Sequence, residues 1–363
     1  MKCFLNIEPS EMPKIFGLSA SLLNRKCKPS QLEKNLHELE KTLRSTIITA
    51  RDVSEIQKYG TDPEEIAIFY HGSEFADSDL KEEIVNLSNE LKCKKSEFSR
   101  DEDALESDLL FEKQFRYSSE GVIFFDKPLR CLNAVCETFE NLGLWCACTA
   151  AEIYLKEVTI LCDRPIMEKY QKILEKVQKF LEDFIKKCEI LLQKNENSMP
   201  HKLKRLLEIF FAVKESKKFI NELPHISDVT FAEDPEEYFV NIKQIQEYSN
   251  SSDINVCSIV FVEQRITAYV LYQWLLYMTE KYPALAFLKP NFIVGHGRAN
   301  FTETSMTEKK QKEIVSSFRK KECNILIATC VLEEGMDIRQ CNLVIRFDLP
   351  KDFRSYVQSK GRA

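Results

Sequence analysis

Four short apolar runs crowd the last third of the chain, "NVCSIVFVEQR", "NFIVGH", "CNILIATC" and "NLVIRFDLP", with helical stretches among them, "TAYVLYQWLLYMTEKY" and "TEKKQKEIVSSFRKKE". Strands that are apolar almost throughout, instead of alternating with polar residues, are buried on both faces. Strands of that kind interleaved with helices form a parallel sheet with helices covering it. Such a sheet binds its ligands outside the carboxyl ends of its strands. Here those ends are Glu263 to Arg265, His296 to Arg298, Thr329 to Asp337 and Asp348 to Pro350, and they include two of the chain's nine glycines, Gly297 and Gly335. Function is expected on that rim.

Upstream the texture is helical. "KIFGLSAS" reads as a short strand running into a turn of small residues, and "KPSQLEKNLHELEKTLRS" comes after it as a helix. There Ser30 and Glu33 form a capping box, and Leu32, Leu36, Leu39 and Leu43 share one face. "SEFSRDEDALESD" is acidic enough to be a solvated connection or a helix end. In "PIMEKYQKILEKVQKFLEDFIKKCEILLQK" apolar residues recur at helical spacing from Tyr170 to Leu191, and the segment predicts one amphipathic helix about 40 Å long. Pro200 separates it from a further helix beginning "HKLKRLLEIFF". The polar stretch around residues 225 to 252 reads as a linker.

Composition bounds the partners. Of 363 residues 44% are hydrophobic, enough for two or three cored domains, and the formal net charge is −6, so no global basic field recommends a nucleic acid. Any RNA contact has to be local. Thirteen cysteines lie scattered without a disulfide framework, and the start lacks the apolar core of a signal peptide. A reducing compartment, the cytoplasm, is expected. No apolar run reaches the roughly 18 to 20 residues of a membrane-spanning helix.

Motifs narrow the chemistry. The sequence contains no G-x-x-x-x-G-K-[ST] phosphate loop, which rules out a complete P-loop ATPase within these residues. "DEDA" at Asp101 to Ala104 looks like a Mg²⁺-holding pair, but no buried strand precedes it. Cys131, Cys136, Cys146 and Cys148 match no common zinc spacing, so buried packing is the favoured reading. His296 is either catalytic or a polar loop residue beside Gly295 and Gly297. The loop from Thr329 through Gly335 to Asp337 brings a hydroxyl, a flexible backbone and a carboxylate to the end of a buried strand, where they can meet phosphate and ribose. On the residues alone, an acidic loop is an equal reading. Finally, Gln358 and Arg362 lie about one turn apart on one helical face, and a guanidinium fork placed there suits a phosphoryl group.

Together, "SIVFVEQR", "NFIVGHG", "QKEIVSSFRKKECNILIATCVLEEGMDI" and "CNLVIRFDLPKDFRSYVQSKGRA" resemble successive motifs of the second RecA-like domain of superfamily-two RNA helicases. The wording "RFDLP" with "RSYVQSKGRA" resembles the Dicer family of double-stranded RNA endoribonucleases. So does "GLSAS" with the helix after it, which in that family ends the first RecA-like domain, while "GLWCA" is similar to the helical domain inserted between the two. The resemblance implies an α/β chain with a large inserted α-helical domain: residues 1–50 from the first RecA-like domain, 51–250 helical, and 251–363 the second RecA-like domain.

By the same resemblance Ser19, Ala20 and Ser21 couple nucleotide state to RNA grip. Phe261, Arg265, Gln311 and Thr329 are RNA-facing, and Gly335, Asp337, Gly361 and Arg362 serve ATP, with Arg362 and Gln358 in the arginine-finger motif. That motif's second arginine would lie just past Ala363, and Met1-Lys2-Cys3 resembles an internal stretch downstream of the Walker-type loop and Asp-Glu box. A piece of a longer protein is therefore expected. The intact protein would use ATP and Mg²⁺, bind double-stranded RNA (a microRNA precursor or a long duplex), recruit a dsRNA-binding accessory protein, and act in RNA silencing. These residues alone are expected to lack ATPase activity. A non-hydrolysing platform for RNA or a partner protein, or a stand-alone RNA-sensing helicase, are the rival readings.

Overall fold

The computed structural model describes residues 29–48, 65–68, 70, 79–105, 117–163, 168–194, 199–215, 256–295, 305–329, 341–349, 355–356 and 359. The apolar runs form β1 (Ser258–Phe261), β2 (Pro290–Ile293), β3 (Ile325–Ala328) and β4 (Leu343–Arg346), all parallel, in the order β2-β3-β1-β4. Every residue of the central strands β1 and β3 is buried, whereas β4 at one edge is half-buried throughout and β2 at the other is buried only at Ile293. That difference comes from position, since an edge strand has a neighbour on one side only.

The period of two sorts the side chains onto two faces. Ile259, Phe261, Leu326 and Ala328 join Ile314, Val315 and Phe318 of a helix spanning Glu308–Arg319. Val260, Val262, Ile325 and Ile327 join Ile266, Val270, Leu271, Trp274 and Leu275 of a second helix, Arg265–Lys281. Helices therefore cover both faces, as the unalternating strands require.

Before the sheet come five helices among the described residues: α1 (Leu32–Leu43), α2 (Asp79–Leu105), α3 (Tyr117–Cys162), α4 (Glu168–Lys194) and α5 (His201–Glu215). The two helices on the sheet are α6 (Arg265–Lys281) and α7 (Glu308–Arg319). Helix α3 doubles back at Gly143, whose φ of 76° and ψ of −170° fall in a region essentially reserved for glycine. The reversal brings Lys127 and Glu157, thirty positions apart along one helix, to 3.3 Å.

Helix α4 matches its sequence pattern closely: Tyr170, Ile173, Leu174, Val177, Leu181, Phe184 and Cys188 are all buried. Lysine–carboxylate pairs tie the bundle along its outside, Lys187–Glu83 at 2.6 Å, Lys176–Glu90 at 2.5 Å and Lys81–Glu140 at 2.8 Å. Exposed pairs of this kind add little stability each and mainly fix register.

One local expectation changes, and an open one is decided. The capping box at Ser30 does not form. Pro29–Gln31 instead make a 3₁₀ turn, so Gln31 becomes the N-cap and no side chain caps the helix. The acidic "DEDA" lies in the last turns of α2, a helix end and not a free connection. The cysteines of α3 pack as expected: Cys131, Cys146 and Cys148 are buried, and desolvation pushes the Cys131 thiol up to about 12. The strand at "KIFGLSAS" and the linker near 225 to 252 lie outside the described residues.

One hydrophobic core runs unbroken from Ile84 of α2 through α3 and α4 into α6 and the strands. At the joint Trp145 of α3 stacks on Tyr277 of α6, with ring centroids 5.1 Å apart. The chain's only other tryptophan, Trp274, borders the same joint, where a cavity of about 500 Å³ opens beside Lys281 and Glu189. The helical region is thus built onto the sheet.

Candidate functional site

The carboxyl rim of the sheet is built from backbone ladders that continue past the strands. Val262 N–H donates to Ala328 at 2.9 Å, Phe347 N–H donates to Phe261 at 3.0 Å, and Thr329 N–H donates to Ile293 at 3.3 Å. These bonds hold the four strand exits together.

Asp348, just past β4, ties two other elements to this rim. One carboxylate oxygen accepts from the backbone N–H of Glu263, after β1, at 2.9 Å. The other accepts from Lys202 of α5 at 3.0 Å. The ammonium of Lys202 also sits 4.0 Å from the centre of the Phe347 ring, and its side chain is only 10% exposed. A lysine so nearly buried stays favourable only when paired and packed, and both conditions hold here. A second tie crosses the same divide, Gln264 donating to Glu137 of α3. Helices upstream in the chain therefore grip the loops at the strand exits.

The sequence-predicted residues fall into two groups. Phe261 is buried at the end of β1, with the Arg346 guanidinium 5.3 Å from its ring centre. Arg346 in turn donates to the Ser355 hydroxyl at 2.8 Å, which anchors the start of the final segment. Arg265 opens α6 and is half-buried. Thr329 is buried directly after β3. Gln311 is fully buried: its amide donates to the Val294 carbonyl at 2.6 Å, while its own amide oxygen finds no partner among the described residues. These four residues, Phe261, Arg265, Thr329 and Gln311, therefore stand at or beneath three neighbouring strand exits. Ser19, Ser21, His296, Gly335, Asp337, Gln358, Gly361 and Arg362 lie outside the described residues.

Sequence reasoning missed Lys202, Asp348, Gln264 and Glu137 as partners. Nothing in local periodicity marks a lysine in the first turn of α5 as a partner for a carboxylate 146 positions later. The available signal was "RFDLP" itself, a charged residue placed where a buried strand ends.

Comparisons with known proteins bear on the rim and the bundle together. The helicase conserved C-terminal domain family matches residues 241–363. Endoribonuclease Dicer of Danio rerio is 32% identical over 379 residues, covering 97% of this chain and 19% of that protein. The chain carries part of a Dicer-type helicase region. Endoribonuclease dcr-1 of Caenorhabditis elegans is 28% identical across 97% of the chain, and Endoribonuclease Dicer homolog 1 of Arabidopsis thaliana is 29% identical across all of it. The chain spans about a fifth of the length of these curated relatives. Among solved structures, the Hef helicase domain of Pyrococcus furiosus covers 93% of the chain, which in turn covers 60% of that structure, at 17% identity and a TM-score of 0.41, a likeness too slight to argue from. The parallel sheet with helices on both faces is the RecA-like part of this α/β fold, and the α2–α5 bundle is its α-helical part.

Proposed function

We propose that this chain supplies the RNA-facing and ATP-closing half of the helicase region in a Dicer-type double-stranded RNA endoribonuclease. The observation that carries the proposal is the reach of the similarity: it runs through the helical bundle as well as the sheet, over 97% of the chain. In this reading Arg265 and the loop after Thr329 lie along the RNA backbone, while Gln311 holds the β2 exit in place from below. Duplex RNA is recognised mainly through phosphates and shape, so little base preference is expected.

The intact protein would use ATP and Mg²⁺, and of this chain's residues Gly335, Asp337, Gly361 and Arg362 would meet the ATP, which supplies the transferable phosphoryl group whose charge the Arg362 fork suits. The described rim itself does not fit a Mg²⁺ site. The Asp348 carboxylate is already taken by Lys202 and the Glu263 amide, and the described residues hold no cluster of three or more metal-ligating side chains. The intact protein would work in the cytoplasm on a microRNA precursor or a long duplex, with a dsRNA-binding accessory protein.

The test is duplex RNA binding by the 363-residue chain, measured by fluorescence anisotropy across a range of salt. Arg265→Ala should weaken binding about three- to tenfold and flatten the salt dependence, as expected for a lost phosphate contact. Binding that is unmeasurable for the unaltered chain, or that depends steeply on base sequence at fixed salt, would overturn the reading.

A further inference from the structure

At the amino ends of the strands, opposite the candidate site, three cysteines lie side by side. Cys257 immediately precedes β1, Cys323 stands two residues before β3, and Cys341 stands two before β4. Because β1 runs between β3 and β4, Cys257 occupies the middle of the row. All three are reduced thiols that share the core on the α7 face of the sheet.

Cys257 and Cys341 are placed to bond. Ser258 pairs with Leu343, Asn342 N–H donates to the Cys257 carbonyl at 3.1 Å, and Cys257 N–H donates to the Asn342 side chain at 2.8 Å. Cys341 is therefore one residue off the direct partner of Cys257. Neighbouring strands lie about 4.8 Å apart with a rise of about 3.3 Å, so the diagonal Cα separation is roughly 6 Å. Disulfides span about 4.4 to 6.8 Å between Cα atoms.

The Cys341 side chain lies within hydrogen-bonding reach of the Cys257 sulfur. Cys257 is half-buried and open to a small oxidant, whereas Cys323 and Cys341 are each 5% exposed. Lys321, just after α7, has a left-handed backbone (φ 64°) and is close enough for its charge to act on Cys257.

We propose that Cys257 and Cys341 are a peroxide-reactive thiol pair that closes to a disulfide, tying β1 to β4 at the amino edge of the sheet. The Cys257 thiolate attacks one oxygen of hydrogen peroxide. The O–O bond breaks, leaving a sulfenic acid and a hydroxide that takes up a proton as water. Cys341 loses its proton and attacks the sulfenic sulfur, displacing a second hydroxide, which also leaves as water. Two thiols are oxidised and one peroxide is reduced to two waters.

The electrostatics assign the roles. The Cys341 hydrogen bond and the Lys321 charge hold the Cys257 thiol down at about 7 against the opposing effect of burial, while burial pushes Cys323 up to about 11. Cys257 is thus the attacking thiol, Cys341 the resolving one, and Cys323 a bystander.

The test treats the reduced chain with stoichiometric hydrogen peroxide at neutral pH, blocks residual thiols with N-ethylmaleimide, and maps tryptic peptides by mass spectrometry. A Cys257–Cys341 crosslink is expected, with Cys323→Ser unchanged and Cys341→Ser leaving a dimedone-reactive sulfenic acid on Cys257. In the unaltered chain, Cys257 should alkylate about fivefold faster than exposed Cys93, thiolate content outweighing partial burial. A crosslink mapped elsewhere, thiol loss that persists in Cys257→Ser, or alkylation of Cys257 no faster than that of Cys93 would overturn the proposal. The alkylation comparison needs no variant to fold.

Discussion

At the scale of single residues, the rim depends on side chains that are polar, nearly buried and paired. Lys202 is anchored to Asp348 and to the Phe347 ring, so its loss would leave Asp348 facing a poorly solvated gap. Removing one partner from a buried pair costs several kcal/mol, and here the partial exposure of Asp348 reduces that to about 1 to 3 kcal/mol. Lys202→Ala should lower the denaturant midpoint accordingly, and a double-mutant cycle with Asp348→Ala should return a large part of that cost as coupling. Gln311 makes a subtler case. Gln311→Ala removes the bond to the Val294 carbonyl and leaves that acceptor buried, a loss of about 1 to 3 kcal/mol. A purely RNA-contacting glutamine would weaken RNA binding without that loss of stability, so equilibrium unfolding separates the two roles.

At the scale of elements, the reversal in α3 hinges on one backbone conformation. Gly143 sits where a Cβ is scarcely tolerated, so Gly143→Ala should destabilise the bundle by about 1 to 3 kcal/mol, read as a fall in thermal midpoint. Much of the element pattern was open to sequence reasoning, because long periods and unbroken apolar runs are collective signals. The α4 stripe and the four strands come through that averaging intact. The turn at Gly143 did not, because a single glycine in "ENLGLWC" interrupts helical periodicity no more than an ordinary helix glycine would. The cap of α1 was misread for a similar reason. Pro29 permits a 3₁₀ entry as readily as the extended N-cap that a capping box needs, and the motif S-x-x-E carries no information about which one wins. Of the candidate site, Arg265 and Thr329 were legible as strand-exit residues, and Phe261 and Gln311 only through the family resemblance. The long-range pairs Gln264–Glu137 and Lys202–Asp348 were not, since pairing across more than a hundred positions leaves no local trace.

At the scale of the molecule, the decisive feature is that the helical bundle and the α/β region share one core. Domains joined by polar linkers move by default, but a large apolar junction removes that freedom. The junction here is the Trp145–Tyr277 stack and the apolar side of α6, reinforced at the rim by Gln264–Glu137 and Lys202–Asp348. Opening it would expose Leu142, Leu144 and Met278, all now buried at the joint, to water. Each such side chain is worth about 1.5 to 3 kcal/mol on burial, so separation of the halves approaches the total stability of a typical domain, about 5 to 15 kcal/mol. The two regions should therefore unfold together, giving one calorimetric transition. Trp145→Ala removes the stack of a half-buried ring, at a cost of about 1 to 3 kcal/mol, and leaves each half's own core in place. It should split that transition in two. Two transitions in the unaltered chain would mean that the shared core is only contact between independent units, and the rim would then have to be gripped by the bundle intermittently.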